Sequence, residues 1–350
     1  MLEEIRQQPA ALERTLRSEL NRIERFRRAL EVRRPRLILI AARGTSDNAA
    51  RFGRYLFAIA TGIPVALAAP SVLTLYGAKL DFRDVLAIAI SQSGESTDVN
   101  AVLERARAEG AITAGITNEP KSTLVHLAEF PFVVRAGREQ SVAATKTYTG
   151  QLLMLYLFAY ALGGRIRLDD LRRLPEWANR ALRLESEAAA VCERYRFMDH
   201  AVVVGRGLNY SNAFEFSLKL METTYVVAER FSTADFLHGP IAMVERAFPV
   251  FLFAPPGVTW PSVREMLGKL RHLRADTLLI TDRSNAEARA TGTRALTIPA
   301  KLSARGIEPE DLYTPIPYII PAQLFAAHLA EEKGLNPDQP RTISKVTRTM

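Results

Sequence analysis

The chain has 350 residues, 48% apolar and 24% charged, enough for roughly two domains of about 150 residues each. No stretch of about 18 apolar residues free of charge occurs and the N-terminus has no apolar signal region, so neither a membrane span nor secretion is expected. The net charge of +8 is mostly arginine scattered among carboxylates, and the densest basic stretch, "RIERFRRALEVRRPR", carries its own glutamates. It reads as a solvated helix face rather than a nucleic-acid surface, while the mild positive balance suits a small anionic substrate. The single cysteine, Cys192, excludes an internal disulfide framework and leaves the cytoplasm as the default compartment.

Residues 1–34 read as helix, stopped by Pro35. "RLILIAA" then reads as a buried strand, followed by the polar junction "RGTSDN" and the helical "AARFGRYLFAIATG". "PVALAA" and "VLAIAI" are further strands, and the second of them runs into "SQSGESTD" and a helix over 99–110. "AITAGITN" and "FPFVVRAG" complete the series. Near-continuous apolar strands alternating with helices predict a parallel, doubly wound sheet with both faces covered. The same order returns about 165 residues later: "HAVVVGRGLNYSN", "PVFLFAPPGVT", "TLLITD" and "ALTIP" echo the first set. The fold class is therefore α/β, with two tandem flavodoxin-like domains. The expected boundaries are an N-terminal helical segment 1–34, a first domain 35–165, linking helices 166–195, a second domain 196–325 and a C-terminal segment 326–350.

Both polar junctions of the first domain lie at carboxyl ends of parallel strands, where such folds bind ligands. Ser91, Gln92, Ser93 and Ser96 surround Gly94 at a helix start, so they serve either as helix caps or as a cradle for a phosphate on the helix N-terminus. No Walker loop and no complete dinucleotide fingerprint is present. The matching junction of the second domain, "APPGV", lacks hydroxyls, so an anion is expected in the first domain only. The small-residue stretch "GREQSVAATKTYTGQ" (137–151) reads either as tight helix packing or as backbone lining a sugar.

In the second domain, "NAFEFSLKLMETTYVVAERF" reads as one apolar helix that places Glu215, Lys219, Glu222 and Glu229 on a common face. That face is either a solvent stripe with an i,i+4 ion pair or a Glu base beside a Lys. His238 precedes a Gly-Pro turn and reads either as a structural histidine or as one that a loop presents to a pocket. His126, His200, His272 and His328 have no metal-ligand spacing, so neither metal nor other cofactor is expected.

In order, "ARGTSDN", "SQSGES", "SVAATKTY", "GRG…LKLMETTYVVAE", "LHGP" and "NPDQPR…SKVT" resemble the tandem sugar-isomerase (SIS) domains of the glucosamine-6-phosphate synthase family. They resemble stand-alone glucosamine-6-phosphate deaminases more closely still, and the likeness runs from about residue 30 to the terminus. The resemblance implies sugar and phosphate contacts by Thr45 and Ser46, a phosphate loop of Ser91, Gln92, Ser93 and Ser96, and a backbone contact at Val142. Ala144 stands where the synthase has a serine. Glu222 is implied as the base moving a proton between C1 and C2, with Lys219 its neighbour. His238 is implied in ring opening, reaching the active site of a partner subunit, and Lys345 as the lysine of the C-terminal tail. A homodimer with shared sites follows from the same resemblance. The synthase's glutaminase domain uses an N-terminal cysteine; residue 2 here is Leu, so glutamine hydrolysis is not expected. What the resemblance leaves is an amino-sugar-phosphate isomerase or deaminase, most directly glucosamine 6-phosphate to fructose 6-phosphate and ammonia, or the reverse with free ammonia. A deglycase or isomerase acting on another phosphorylated amino sugar, and a non-catalytic sugar-phosphate sensor, are the alternatives.

Overall fold

The computed structural model describes residues 1–302, 306 and 308–342. Of these, Ala10–Glu139 and Lys146–Arg173 cluster as one compact unit, called here the first. Met1–Pro9, Gln140–Thr145 and Leu174–Thr342 cluster as the second.

In chain order, Leu2–Arg6 (α1) and Gln8–Val32 (α2) lead to Leu37–Ala42 (β1), Thr45–Thr61 (α3), Val65–Leu67 (β2) and Pro70–Thr74 (α4). Val85–Ile90 (β3), Thr97–Ala108 (α5), Ile112–Thr117 (β4), Thr123–Leu127 (α6), Phe130–Val133 (β5) and Lys146–Ala161 (α7) follow. The helical reading of 1–34 is interrupted at Gln7, where α1 gives way to α2. The five strands form one parallel sheet in the order β2-β1-β3-β4-β5. Every residue of β3 and β4 is buried, as expected of central strands covered on both faces. On one face Ala87 and Ala89 pack under Val99, Val102 and Leu103 of α5. Elsewhere in the unit Phe26 of α2, Phe132 of β5 and Phe158 of α7 meet with ring centroids 4.8–5.4 Å apart.

The chain continues through Leu168–Leu171 (α8), Leu174–Leu182 (α9) and Glu185–Cys192 (α10). His200–Gly205 (β6), Tyr210–Thr224 (α11), Val227–Ser232 (β7), Thr233–Leu237 (α12) and Pro249–Phe253 (β8) come next. Trp260–His272 (α13), Asp276–Asp282 (β9), Ala286–Ala290 (α14), Ala295–Ile298 (β10) and Pro315–Glu332 (α15) complete it. The second sheet is also parallel, in the order β10-β9-β8-β6-β7. Read from its other edge this is the first sheet's order, so the repeat visible in sequence is a repeat of topology. In both sheets the strand order reverses beside the first strand, between β1 and β3 and between β6 and β8, which is where such sheets open a crevice.

One element departs from the sequence reading. The helix over 212–231 stops at Thr224, because Tyr225 adopts a left-handed conformation (φ 58°), and β7 begins two residues later. Glu229 therefore lies in a strand paired with Val202 and does not share the face of Glu215, Lys219 and Glu222. The β-branched and aromatic run "TTYVV" carried that signal.

Candidate active site

In the first unit, the turns after β1 and β3 stand side by side because those strands pair along their whole length, from Leu37 beside Val85 to Ala42 beside Ile90. The turn after β3 is tightly built. The Ser91 hydroxyl accepts the Gly94 N–H (3.1 Å), and the Gly94 carbonyl accepts both the Leu124 N–H and the Asn100 side-chain amide, each at 3.1 Å. Gly94 has φ 69°, and a Cβ there would stand 2.1 Å from the Ser122 hydroxyl, so no other residue fits without rearrangement. Ser96 is the N-cap residue of α5, yet its hydroxyl makes no capping bond, and Gln92, Ser93 and Ser96 are half-buried. Helix capping therefore does not account for this serine. Its hydroxyl reaches Asp98 Oδ1 at 3.5 Å instead, and the turn sets small hydroxyls beside a helix N-terminus, chemistry that suits a phosphate.

Arg43 joins the two turns. Its Nε and Nη2 lie 2.7 and 2.6 Å from the Asp98 Oδ2 in the first turn of α5, which neutralises a buried carboxylate next to the serines. Thr45 opens α3 and is half-buried. Ser46 is buried beneath it, accepting a 2.9 Å hydrogen bond from the Gln151 side chain of α7.

The second unit presents different chemistry. Lys219 on α11 is wholly buried, with its Nζ 2.5 Å from Glu222 Oε2 and 3.4 Å from Glu215 Oε1. Glu215 is buried too, whereas the Glu222 side chain is 24% exposed. The solvent-stripe reading of this face is thus corrected: α11 packs against α15, β6 and β7, which encloses both Glu215 and Lys219. An ammonium taken out of water is costly unless paired, so the two carboxylates stabilise Lys219, and Lys219 in turn fixes the partly open Glu222. Sequence reasoning singled out Glu215 as part of the face without assigning it to the site; its burial marks it as part of this ion group.

His238 follows α12 as its C-terminal cap residue and is exposed, ahead of Gly239. Val142 and Ala144 belong to the segment 140–145, in which Ser141, Ala143 and Thr145 are buried and Val142 and Ala144 half-exposed. Lys345 lies outside the described residues. The thiol of Cys192 is buried against the Ala188 carbonyl, and burial pushes its ionisation far upward, so it is no nucleophile. Among the described residues no group of three or more His, Cys, Asp or Glu side chains could hold a metal ion, and no helix is long and apolar enough to cross a membrane.

The SIS-domain family pattern matches residues 31–161 and 196–330, one copy on each sheet. The chain belongs to the SIS-domain family. Among curated relatives of this SIS protein, the glutamine–fructose-6-phosphate aminotransferase (isomerizing) of Methanothermobacter thermautotrophicus is 34% identical over 350 residues. That match takes in 99% of this chain and 56% of the relative, so the chain spans little more than half its length. Among solved structures, the C-terminal domain of glucosamine-fructose-6-phosphate aminotransferase from Francisella tularensis superposes with a TM-score of 0.85 at 27% identity. It covers 97% of this chain and 98% of that one. Glucosamine-6-phosphate deaminase from Thermotoga maritima shares the fold at a TM-score of 0.74 and 21% identity, over 97% of this chain and 100% of that one.

Proposed function

We propose that this SIS protein is an aldose–ketose isomerase of amino-sugar phosphates that releases ammonia, converting glucosamine 6-phosphate and water to fructose 6-phosphate and ammonia. The observation that carries the reading is the Glu215–Lys219–Glu222 group: a carboxylate held at 2.5 Å by a buried ammonium and still partly open to a ligand. A positioned carboxylate of this kind is a proton shuttle. The hydroxyl-lined turn at 91–96 supports a phosphorylated substrate, and the relatives' names support an amino-sugar one.

In this reading the phosphate is assigned to Ser91, Gln92, Ser93 and Ser96, with Thr45 and Ser46 as further contacts. Glu222 takes the C2 proton of the open-chain amino sugar and returns it at C1. The ketimine so formed adds water and expels ammonia. His238 is assigned to ring opening, since an imidazole can donate and accept a proton through its two ring nitrogens. Lys219 is assigned to holding the Glu222 carboxylate, Lys345 to stabilising charge at the substrate carbonyl oxygen, and Val142 and Ala144 to contacts with the sugar. A homodimer with shared sites and a cytoplasmic location belong to the same proposal. The same residues run the reaction backwards when free ammonia is supplied.

The test is to incubate the protein with glucosamine 6-phosphate and, in parallel, other phosphorylated amino sugars and sugar–amino-acid adducts, measuring ammonia and ketose phosphate. Release of both from glucosamine 6-phosphate is expected. Turnover of a different substrate alone would redirect the reading to that sugar, and binding without turnover throughout would make the protein a sensor.

A further inference from the structure

The segment Gln140–Thr145 is built into the second unit by residues from three distant stretches. Glu4, in α1, is almost fully buried, and its carboxylate accepts the N–H of Gln140 through Oε1 (2.5 Å) and the N–H of Ser141 through Oε2 (3.3 Å). At the other end, the buried Gln8 side chain donates to Gln323 Oε1 (2.7 Å), and Gln323 donates onward to the Thr145 carbonyl (3.4 Å). Between them, the Ser141 hydroxyl donates to the Pro337 carbonyl and the Val142 N–H to the Asp338 carbonyl. A carboxylate removed from water is stable only when its lone pairs are filled, and two backbone N–H groups side by side fill those of Glu4. In return the carboxylate fixes the 139–140 and 140–141 peptide planes, and the Asp338 carbonyl holds the next one, which carries the Val142 N–H. The alternation of buried Ser141, Ala143 and Thr145 with half-exposed Val142 and Ala144 depends on that register.

The geometry points to Glu4 as a positioning residue that sets the conformation of the 140–145 segment, and hence the affinity for the sugar rather than for its phosphate. This deepens the proposed function and rests on it. Neither the length of α1 nor its sequence announces the role; the contact joins residues 136 positions apart.

Glu4→Ala and Glu4→Gln in the full chain test it, with thermal unfolding to confirm that each variant folds. For Glu4→Ala, loss of charge-assisted hydrogen bonds should speed amide exchange at Gln140 and Ser141 by about tenfold or more. The KM for glucosamine 6-phosphate should rise by about tenfold with kcat little changed, the mark of lost ground-state binding. Glu4→Gln, which keeps one acceptor oxygen, should recover part of both effects, and affinity for inorganic phosphate should be unchanged in both variants. Unchanged amide exchange, or faster exchange with an unchanged KM, overturns the inference. An equal loss of affinity for inorganic phosphate overturns it as well, since the effect would then be general. Should the wild-type protein act on no amino-sugar phosphate, the functional reading falls, and amide exchange by itself still decides whether Glu4 orders the segment.

Discussion

The turns after β3 and after β8 occupy the same place in two sheets of one topology, yet they are chemically unlike. The first, Ser91–Ser96, carries three serine hydroxyls, of which that of Ser96 makes no capping bond to its own helix. The second runs Ala254-Pro255-Pro256-Gly257-Val258-Thr259, and the chain itself occupies it. The Asn285 side chain donates to the carbonyls of Ala254 and Pro255, Thr259 donates to Asp311 Oδ2 (3.3 Å), and Glu310 lies against Gly257. The α/β topology therefore supplies two equivalent crevices, and turn chemistry decides which one is left for an anion. In the proposed function the open turn of the first unit takes the phosphate, while the second unit carries the ion group on α11.

The largest effect expected from breaking this division of labour is at Glu222. Glu222→Gln should lower turnover by roughly 10²–10⁴ with substrate binding nearly intact, as loss of a placed proton shuttle does. Kinetics close to wild type would remove Glu222 from the chemistry. Next comes the pair of turn glycines. Gly94→Ala meets both a left-handed φ and the Ser122 side chain, and should cost about 2–4 kcal/mol in urea unfolding while weakening phosphate binding. Gly257→Ala, with a single near contact to the Glu310 side chain at 2.9 Å, should cost about 1–2 kcal/mol and leave phosphate binding alone. Equal losses of phosphate affinity in the two would dissolve the contrast.

Asp311 gives a pH-dependent test of the occupied turn. Burial, with a smaller contribution from Glu310, raises its carboxyl to about 6 against the Thr259 hydrogen bond that lowers it, and its Oδ1 has no partner among the described residues. A raised acid pKa means that the folded state binds the proton more tightly than the unfolded chain. Stability is then lost as pH rises from about 4 to about 6 and stays low above that. Asp311→Asn should therefore stabilise the protein by about 1–3 kcal/mol at pH 8 and bring no gain at pH 4, as read from Tm at the two values. A gain that is the same at both would show that ionisation is not involved. The smallest effect is expected at Ser96, where Ser96→Ala should weaken phosphate or sugar phosphate by about tenfold with little change in Tm. A fall in stability without a change in affinity would return this serine to a capping role.

Much of the fold was legible in the sequence because strand burial, helix period and turn chemistry are local. "VLAIAI" and "ITAGIT" read as central strands, and Gly94 among serines read as a strand-to-helix turn. The sequence reading misses β7 because the helical period of α11 runs on smoothly into "YVVAERF"; besides the β-branched run, the lack of a second-domain counterpart to "PVALAA" is a clue. The α11 face was legible as a spacing of charges but not as a burial. Whether Glu215 and Lys219 meet water depends on α15, about a hundred residues later, and no local pattern records that.

The sequence by itself determined the repeated α/β order, the serine-lined turn in one copy and its absence from the other, since each depends on neighbouring residues and their backbone preferences. Only the tertiary structure decided that Ser96 leaves its helix uncapped, that Lys219 is enclosed between two carboxylates, and that Glu4 grips the backbone before Val142. Each of these is a matter of burial and hydrogen-bond partners brought together by packing, and such partners lie anywhere from three to more than a hundred residues apart.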